Sequence, residues 1–353
     1  MRKKLSLLMA LLMVLSIFTA CSAPATNSAH PEGSTPVSQE PDANTDAGEL
    51  VVATVPKQAG ILWFDSMDTF GKEWADKNNA QHHYIGPIDF DSAQQLSSLN
   101  DAIALKPDVL TVVPIALESV DELLKKARDN GTVVVTHEGH RLTNIDYNVE
   151  AFNNKEFGEH FLDLIVDFGG EDAEYAITVG NLTVSSHMEW AEALLAAQLE
   201  RYPNMKSVSG DQFYESNNSA DDAYNQGKQL IQQYPNLKVI WAGSASSAIG
   251  YARAVEELDM IGKVAVIGVC PPSETVTGFE RGSIVAGSFW NPGLAQQACY
   301  EIGLRVIDGR GIKEGDDLGV PGYESITMDG KTVMGAAWID VDKDNIQEYV
   351  DII

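Results

Sequence analysis

Basic residues are scarce in this chain. Lys and Arg number 24 against 51 Asp and Glu among 353 residues, a formal net charge of −27. A surface of that sign repels phosphate backbones, which excludes a reader of nucleic acid. Cysteine is rarer still, with only Cys21, Cys270 and Cys299. The last two could pair outside the cell, but their spacing does not require it, and two buried free thiols are the expected state. The usual signatures of catalysis are also missing: there is no G-x-S-x-G elbow, no G-x-x-x-x-G-K-[ST] and no G-x-G-x-x-G. No paired acid–base spacing replaces them, so neither an enzyme nor a cofactor is expected.

What is present begins with the N-terminus. MRKK supplies a positive stretch, and LSLLMALLMVLSIF is an apolar run of signal-peptide length, short for a membrane span. Residues 1–20 are therefore read as an export signal. Phe18-Thr19-Ala20-Cys21 resembles a bacterial lipobox with Phe18 in place of the usual leucine, which implies lipidation of Cys21 and anchoring to the membrane. An ordinary secreted protein with a stray cysteine is the alternative. Residues 21–48 are rich in Pro, Ser, Thr and Asn and nearly free of aliphatic bulk. Such a segment cannot bury enough apolar surface to offset its ordering entropy, and reads as a flexible tether. Without the signal, 21 basic residues face 51 acidic ones. About 305 residues remain, a length natural for two domains.

Past the tether, apolar runs occur at residues 51–55, 109–115, 132–136, 175–180, 238–243 and 264–269. Each is short and continuous, as expected for strands of a parallel sheet covered on both faces. Amphipathic segments of helical length lie between them, at Phe70 to Asn78, Ser92 to Leu105, Glu118 to Asp129, Glu156 to Phe168, Met188 to Arg201, Ala220 to Tyr234 and Ser247 to Leu258. Gly131, Pro203 and Pro235 punctuate the helix ends. The pattern predicts an α/β fold of doubly wound parallel sheets, which bind ligands at the carboxyl ends of their strands. No internal repeat is visible.

Residues 144–158, NIDYNVEAFNNKEFG, join the first group of βα units to the second without a helix of their own. Two further crossings are expected at SIVAGSFWNPG (283–293) and LGVPGYESITMDG (318–330). Three such strands would form a hinge between two lobes, with a cleft between facing strand ends. The expected division is 49–148 plus 291–320 for the first lobe and 149–290 plus 321–353 for the second.

An exported, acidic, two-lobed α/β chain resembles the type I periplasmic solute-binding proteins of sugar ABC importers, and among them the receptors for rhamnose and for a furanosyl autoinducer. VPKQAGILWF, VVVTHEG, LTVSSHMEW, IWAGSASSAIGYARAVE and GSFWNP carry the likeness, which spans about Glu49 to Ile353. It implies a receptor that traps a small sugar-like ligand and delivers it, as a monomer, to a membrane permease. A ligand-sensing accessory of a histidine kinase or chemoreceptor is the alternative. Lys57 and Ala245 match ligand-binding positions of the autoinducer receptor, and Glu138 stands at a ligand-binding aspartate. Ser186, His187 and Gly243 depart from it, which implies a different polyhydroxylated ligand. Cys270 stands where many relatives have a sugar-binding aspartate.

By position, Trp63, Phe64 and Asp65 resemble the residues that sandwich the sugar ring, and Glu138, Ser244, Trp290 and Asn291 those that bond its hydroxyls. The chemistry fits: a sugar ring has an apolar C–H face for an aromatic to cover, and a carboxylate accepts hydroxyl hydrogens in strong charge-assisted bonds. HEGH, from His137 to His140, together with His187 invites a metal reading. The spacing is not that of a helical zinc pair, so hydrogen-bonding histidines at a cleft rim are expected instead. His187 would then make affinity sensitive to pH near neutrality.

Overall fold

In the computed structural model, which describes residues 49–352, all six apolar runs form strands. The first sheet begins with β1 (Leu50–Val55), β2 (Ala80–Tyr84), β3 (Val109–Val112), β4 (Val133–His137) and β5 (Tyr147–Glu150), all parallel in the order β2-β1-β3-β4-β5. The second holds β6 (Glu174–Val179), β7 (Lys206–Ser207), β9 (Leu237–Gly243), β10 (Ala265–Val269) and β11 (Ile284–Phe289), parallel in the order β7-β6-β9-β10-β11. A short β8 (Tyr214–Glu215) also pairs with β6. The inner strands β3 and β10 are buried along their whole length, which is why they show no alternation.

Helices cover the sheets. The first lobe carries α1 (Leu62–Asn78), α2 (Ser92–Ala104) and α3 (Leu117–Asp129). The second carries α4 (Asn154–Gly169), α5 (Ser185–Arg201), α6 (Ala220–Gln233), α7 (Ala245–Glu257) and α8 (Pro272–Arg281). The last, α9 (Pro292–Ile307), returns to the first lobe and packs on α1 and β4. Side chains of Asp91, Asn153, Ser219 and Asn291 accept backbone N–H bonds at the starts of α2, α4, α6 and α9. Pro272 and Pro292 open α8 and α9, where a missing N–H costs nothing.

Two expectations need correction. First, α1 starts at Leu62 and not near Phe70, so Trp63, Phe64 and Asp65 lie on its first turns and not on a loop. Second, the stretch 318–330 is not a crossing. Leu318, Val320, Tyr323 and Ile326 pack with Val135, Val149 and Cys299 in the first lobe. The hairpin of β12 (Thr327–Asp329) and β13 (Thr332–Met334) then extends the first sheet beside β5. Residues 321–334, assigned from the sequence to the second lobe, therefore belong with the first. The third crossing follows β13 and leads to β14 (Ile339–Val341), which pairs antiparallel with β11. It runs beside the first crossing: Gly335 N donates to Glu150 O and Ala337 N to Ala151 O, each at 3.0 Å.

Cys270 and Cys299 are free and buried, in the cores of the second and first lobes respectively. The expected signal, tether and Cys21 lie outside the described residues. Among the described residues no helix is long and apolar enough to cross a membrane.

The packing of α4 on α5 positions the start of α5, and it depends on a glycine. A Cβ at Gly158 would sit 2.3 Å from the Trp190 carbonyl oxygen and 2.8 Å from Ala193 Cβ. Backbone cannot yield as a side chain can, so Gly158→Ala should cost about 1–3 kcal/mol. A lower urea midpoint with an unchanged slope is the expected result; an unaltered midpoint would mean that the helices slide apart freely.

Candidate functional site

The carboxyl ends of β1 and β4 in the first lobe face those of β6, β9 and β10 in the second, and the loops beyond them line one cavity. Just past β1, Lys57 is only 3% exposed. A buried ammonium needs a partner, and Lys57 Nζ lies 2.6 Å from Glu138 Oε2. Glu138 follows β4 with φ at +59°, a left-handed conformation that costs a non-glycine residue about 1 kcal/mol or more. That turn lets its N–H reach Val149 O while the side chain enters the cleft. Ser186 Oγ, from the first turn of α5, donates to the same Oε2 at 2.5 Å and so bridges the lobes.

Burial alone would raise the Glu138 carboxyl, but Lys57, His137 and the Ser186 hydroxyl hold it down at about 2. A carboxylate of that strength is a hydrogen-bond acceptor and a poor general base near neutrality. His187 is pushed down to about 3 by burial and by Lys57, with Glu138 opposing. The expectation that His187 titrates near neutral pH is therefore corrected: its ring is neutral at neutral pH.

Aromatic rings form the opposite wall. Trp63 meets Trp290 edge-on with centroids 4.8 Å apart, and Trp290 meets Trp190 in the same manner at 5.6 Å. Three polar atoms around the cavity are buried without a partner: Trp290 Nε1, Asn218 Nδ2 and His187 Nδ1. Native interiors leave few such groups, and at a cleft they mark where a ligand would bond. The cavity is tight as it stands, about 50 Å³, smaller than ordinary small-molecule sites.

Of the residues singled out in the sequence, Lys57, Trp63, Phe64, Glu138, His187, Ser244, Ala245 and Trp290 line this cavity. Three do not. Asp65 accepts from the Gly60 N–H at 2.9 Å and from Tyr84 Oη, which braces the β1–α1 loop. Asn291 caps α9 through the Gly293 N–H at 2.8 Å. His137 lies behind Glu138, its Nδ1 bonded to Val149 O at 2.8 Å. The histidines do not converge on one point either: His140 turns to Glu150 and Glu189, and among the described residues no metal-holding group of His, Cys, Asp or Glu is present.

Gln58, Ile61, Phe90, Trp190, Asn218, Ser246 and Val269 complete the wall and were not foreseen. For two of them a signal existed. Trp190 lies one helical turn beyond His187, on the same face. Asn218 precedes the Ser219 cap with φ at +51°, a conformation asparagine tolerates. Its amide oxygen comes so near Gly180 that a Cβ there would sit 2.0 Å away. Cys270 is not on the wall; its thiol is pushed up by burial and packs against Gly287.

Two α/β lobes linked by three crossings, with one cavity between the ends of their strands, are the architecture of a class of binding proteins. A periplasmic binding protein domain model matches residues 52–311, and the chain belongs to that family. It is a solute-binding protein and not an enzyme. The D-ribose/D-allose-binding protein of Pseudomonas aeruginosa is 25% identical over 234 residues, which cover 62% of this chain and 69% of that protein. Among solved structures, an ABC transporter solute-binding protein of Clostridium phytofermentas with bound L-rhamnose superposes with a TM-score of 0.78 at 17% identity, covering 87% of this chain and 100% of that one. LsrB of Clostridium saccharobutylicum in complex with AI-2 gives 0.76 at 18% identity, covering 85% and 99%. At such identities the structures establish the shared fold.

Breaking a buried ion pair strands a charge, so Glu138→Gln should lower the unfolding free energy by about 3–5 kcal/mol. The depressed carboxyl contributes stability that is complete above its ordinary value of 4.5 and is lost as pH falls towards about 2. Urea unfolding across that window should show this loss in the unsubstituted chain, with a smaller slope in the variant. Identical pH profiles would refute the pairing.

Proposed function

We propose that this chain captures a small uncharged sugar or sugar-like polyol between its lobes and hands it to an ABC transporter permease. The observation that carries this reading is the set of unpartnered buried atoms, Trp290 Nε1, Asn218 Nδ2 and His187 Nδ1, around an aromatic cavity whose two charges neutralise each other. A neutral ligand rich in hydroxyl groups, which both donate and accept, would satisfy these nitrogens, and its C–H face would lie on the tryptophans. An ionic ligand would add an uncompensated charge to a site already balanced. The sugars and AI-2 held by the relatives support the same class.

Binding would be a shift in population, because a ligand that touches both lobes stabilises the shut form over the open one. Micromolar affinity requires about −8 kcal/mol, within reach of a few hydroxyl bonds and ring stacking. The protein would act as a monomer outside the cytoplasm, held to the membrane through a lipid on Cys21.

A thermal-shift panel of pentoses, deoxyhexoses, hexoses and furanosyl diols tests the ligand class, since a ligand at about 100 times its Kd adds about 2.7 kcal/mol of stability. At least one sugar should raise Tm, and Asn218→Ala and the double variant Trp63→Ala, Phe64→Ala should lose that rise while remaining folded. A shift with anions or apolar compounds alone would overturn the reading. For the anchor, Cys21→Ser should move the protein from the membrane fraction to the soluble one; continued membrane association would rule out lipidation at that residue.

A further inference from the structure

Outside the cavity, Glu189 of α5 takes contacts from both lobes. Its Oε1 lies 2.9 Å from His140 Nε2 and accepts from Arg141 Nη2 at 2.8 Å. Both partners sit on the β4–β5 loop of the first lobe. Its Oε2 accepts from Asn154 Nδ2 at 3.1 Å, at the start of α4 and just beyond the first crossing. Asn154 Oδ1 in turn accepts from the indole N–H of Trp190 at 2.7 Å, and Trp190 lines the cavity. Glu189 itself does not reach that wall. Separation of the lobes would break its bonds to His140 and Arg141 and leave the bond to Asn154 intact.

We propose that Glu189 latches the two lobes, a positioning residue that favours the shut form by holding His140 and Arg141 across the cleft and that steadies Trp190 through Asn154. Arg141 is 58% exposed at its side chain, so solvent screens its share. His140 is the more sheltered partner, at 26%.

The charged groups facing His140 are Glu150 from β5 and Glu189 from α5, with Arg141 next to it on its own loop and sharing Glu189. Hydrogen bonds to Glu150 and Glu189 push the imidazole up to about 9, with partial burial opposing. Opening removes Glu189 and leaves Glu150, so the open form holds the proton less tightly. The shut form therefore binds more protons. The latch acts in full at pH values below the open-form pKa and fades as pH rises through about 9.

The test uses the ligand-free chain, with nitroxide labels on Ile88→Cys of the first lobe and Leu182→Cys of the second, both exposed, and pulsed dipolar distance measurement. At about pH 7 the short-distance population should fall about threefold or more in Glu189→Ala and less in Glu189→Gln. In the chain unsubstituted at 189 it should shrink as pH rises to about 10, whereas Glu189→Ala should show no such trend. This pH arm needs no change at Glu189 and so does not depend on how that variant folds. Equal populations with and without Glu189, or a population in the parent chain that ignores pH, overturn the latch. Because no ligand is added, that failure leaves the sugar-binding reading untouched. Success predicts a matching fold loss of apparent sugar affinity in the variants.

Discussion

The site depends on two opposite charges that neither water nor backbone could satisfy alone. Lys57 and Glu138 are almost wholly withdrawn from solvent, and each is tolerable there because the other is 2.6 Å away. The pair ties the end of β1 to the end of β4, and Ser186 extends it into the second lobe. Its presence explains the left-handed turn at Glu138, since local backbone strain persists only where the surroundings over-determine it. It also sets the chemistry of the cavity. With the charges cancelling and His187 held neutral, what remains for a ligand is a set of neutral donors and acceptors on an aromatic floor.

That floor belongs to two lobes at once. Trp63, Phe64 and Met67 of α1 join the same apolar cluster as Trp190, Trp241 and Trp290. Polar bonds across the cleft, from Ser186 to Glu138 and from Arg141 to Glu189, lie beside it. Surfaces that must part to admit a ligand cannot be knitted as firmly as a core. Here the cross-lobe contacts are rings meeting edge-on and a few ion pairs. The hinge is made more firmly, with the first and third crossings hydrogen-bonded to each other.

Much of the fold was legible because parallel strands buried on both faces leave a strong mark. VLTVVPI and VAVIGV can hardly be anything but interior strands. Edge elements were harder to read. The β2 sequence AQHHY is half-exposed and polar, and β12 and β13 each hold three residues, too few to show a period. The start of α1 was hidden because Ile61 caps it without a side-chain hydrogen bond, so no Ser, Thr, Asp or Asn announces the helix. Several residues singled out for their place just past strand ends line the cavity. Asp65 and Asn291 met the same criterion, yet their oxygens are spent on nearby backbone N–H groups.

By itself, then, the order of residues determined six of the inner strands, most of the helices and the side of the sheets on which the cavity lies, because these follow from local periodicity and from the rule that parallel crossovers open at strand ends. Only tertiary structure decided which of the nearby polar groups are free for a ligand and which are already paired. That depends on partners far apart in sequence, Glu138 with Lys57 and Ser186, or His140 with Glu189, whose meeting no local pattern encodes.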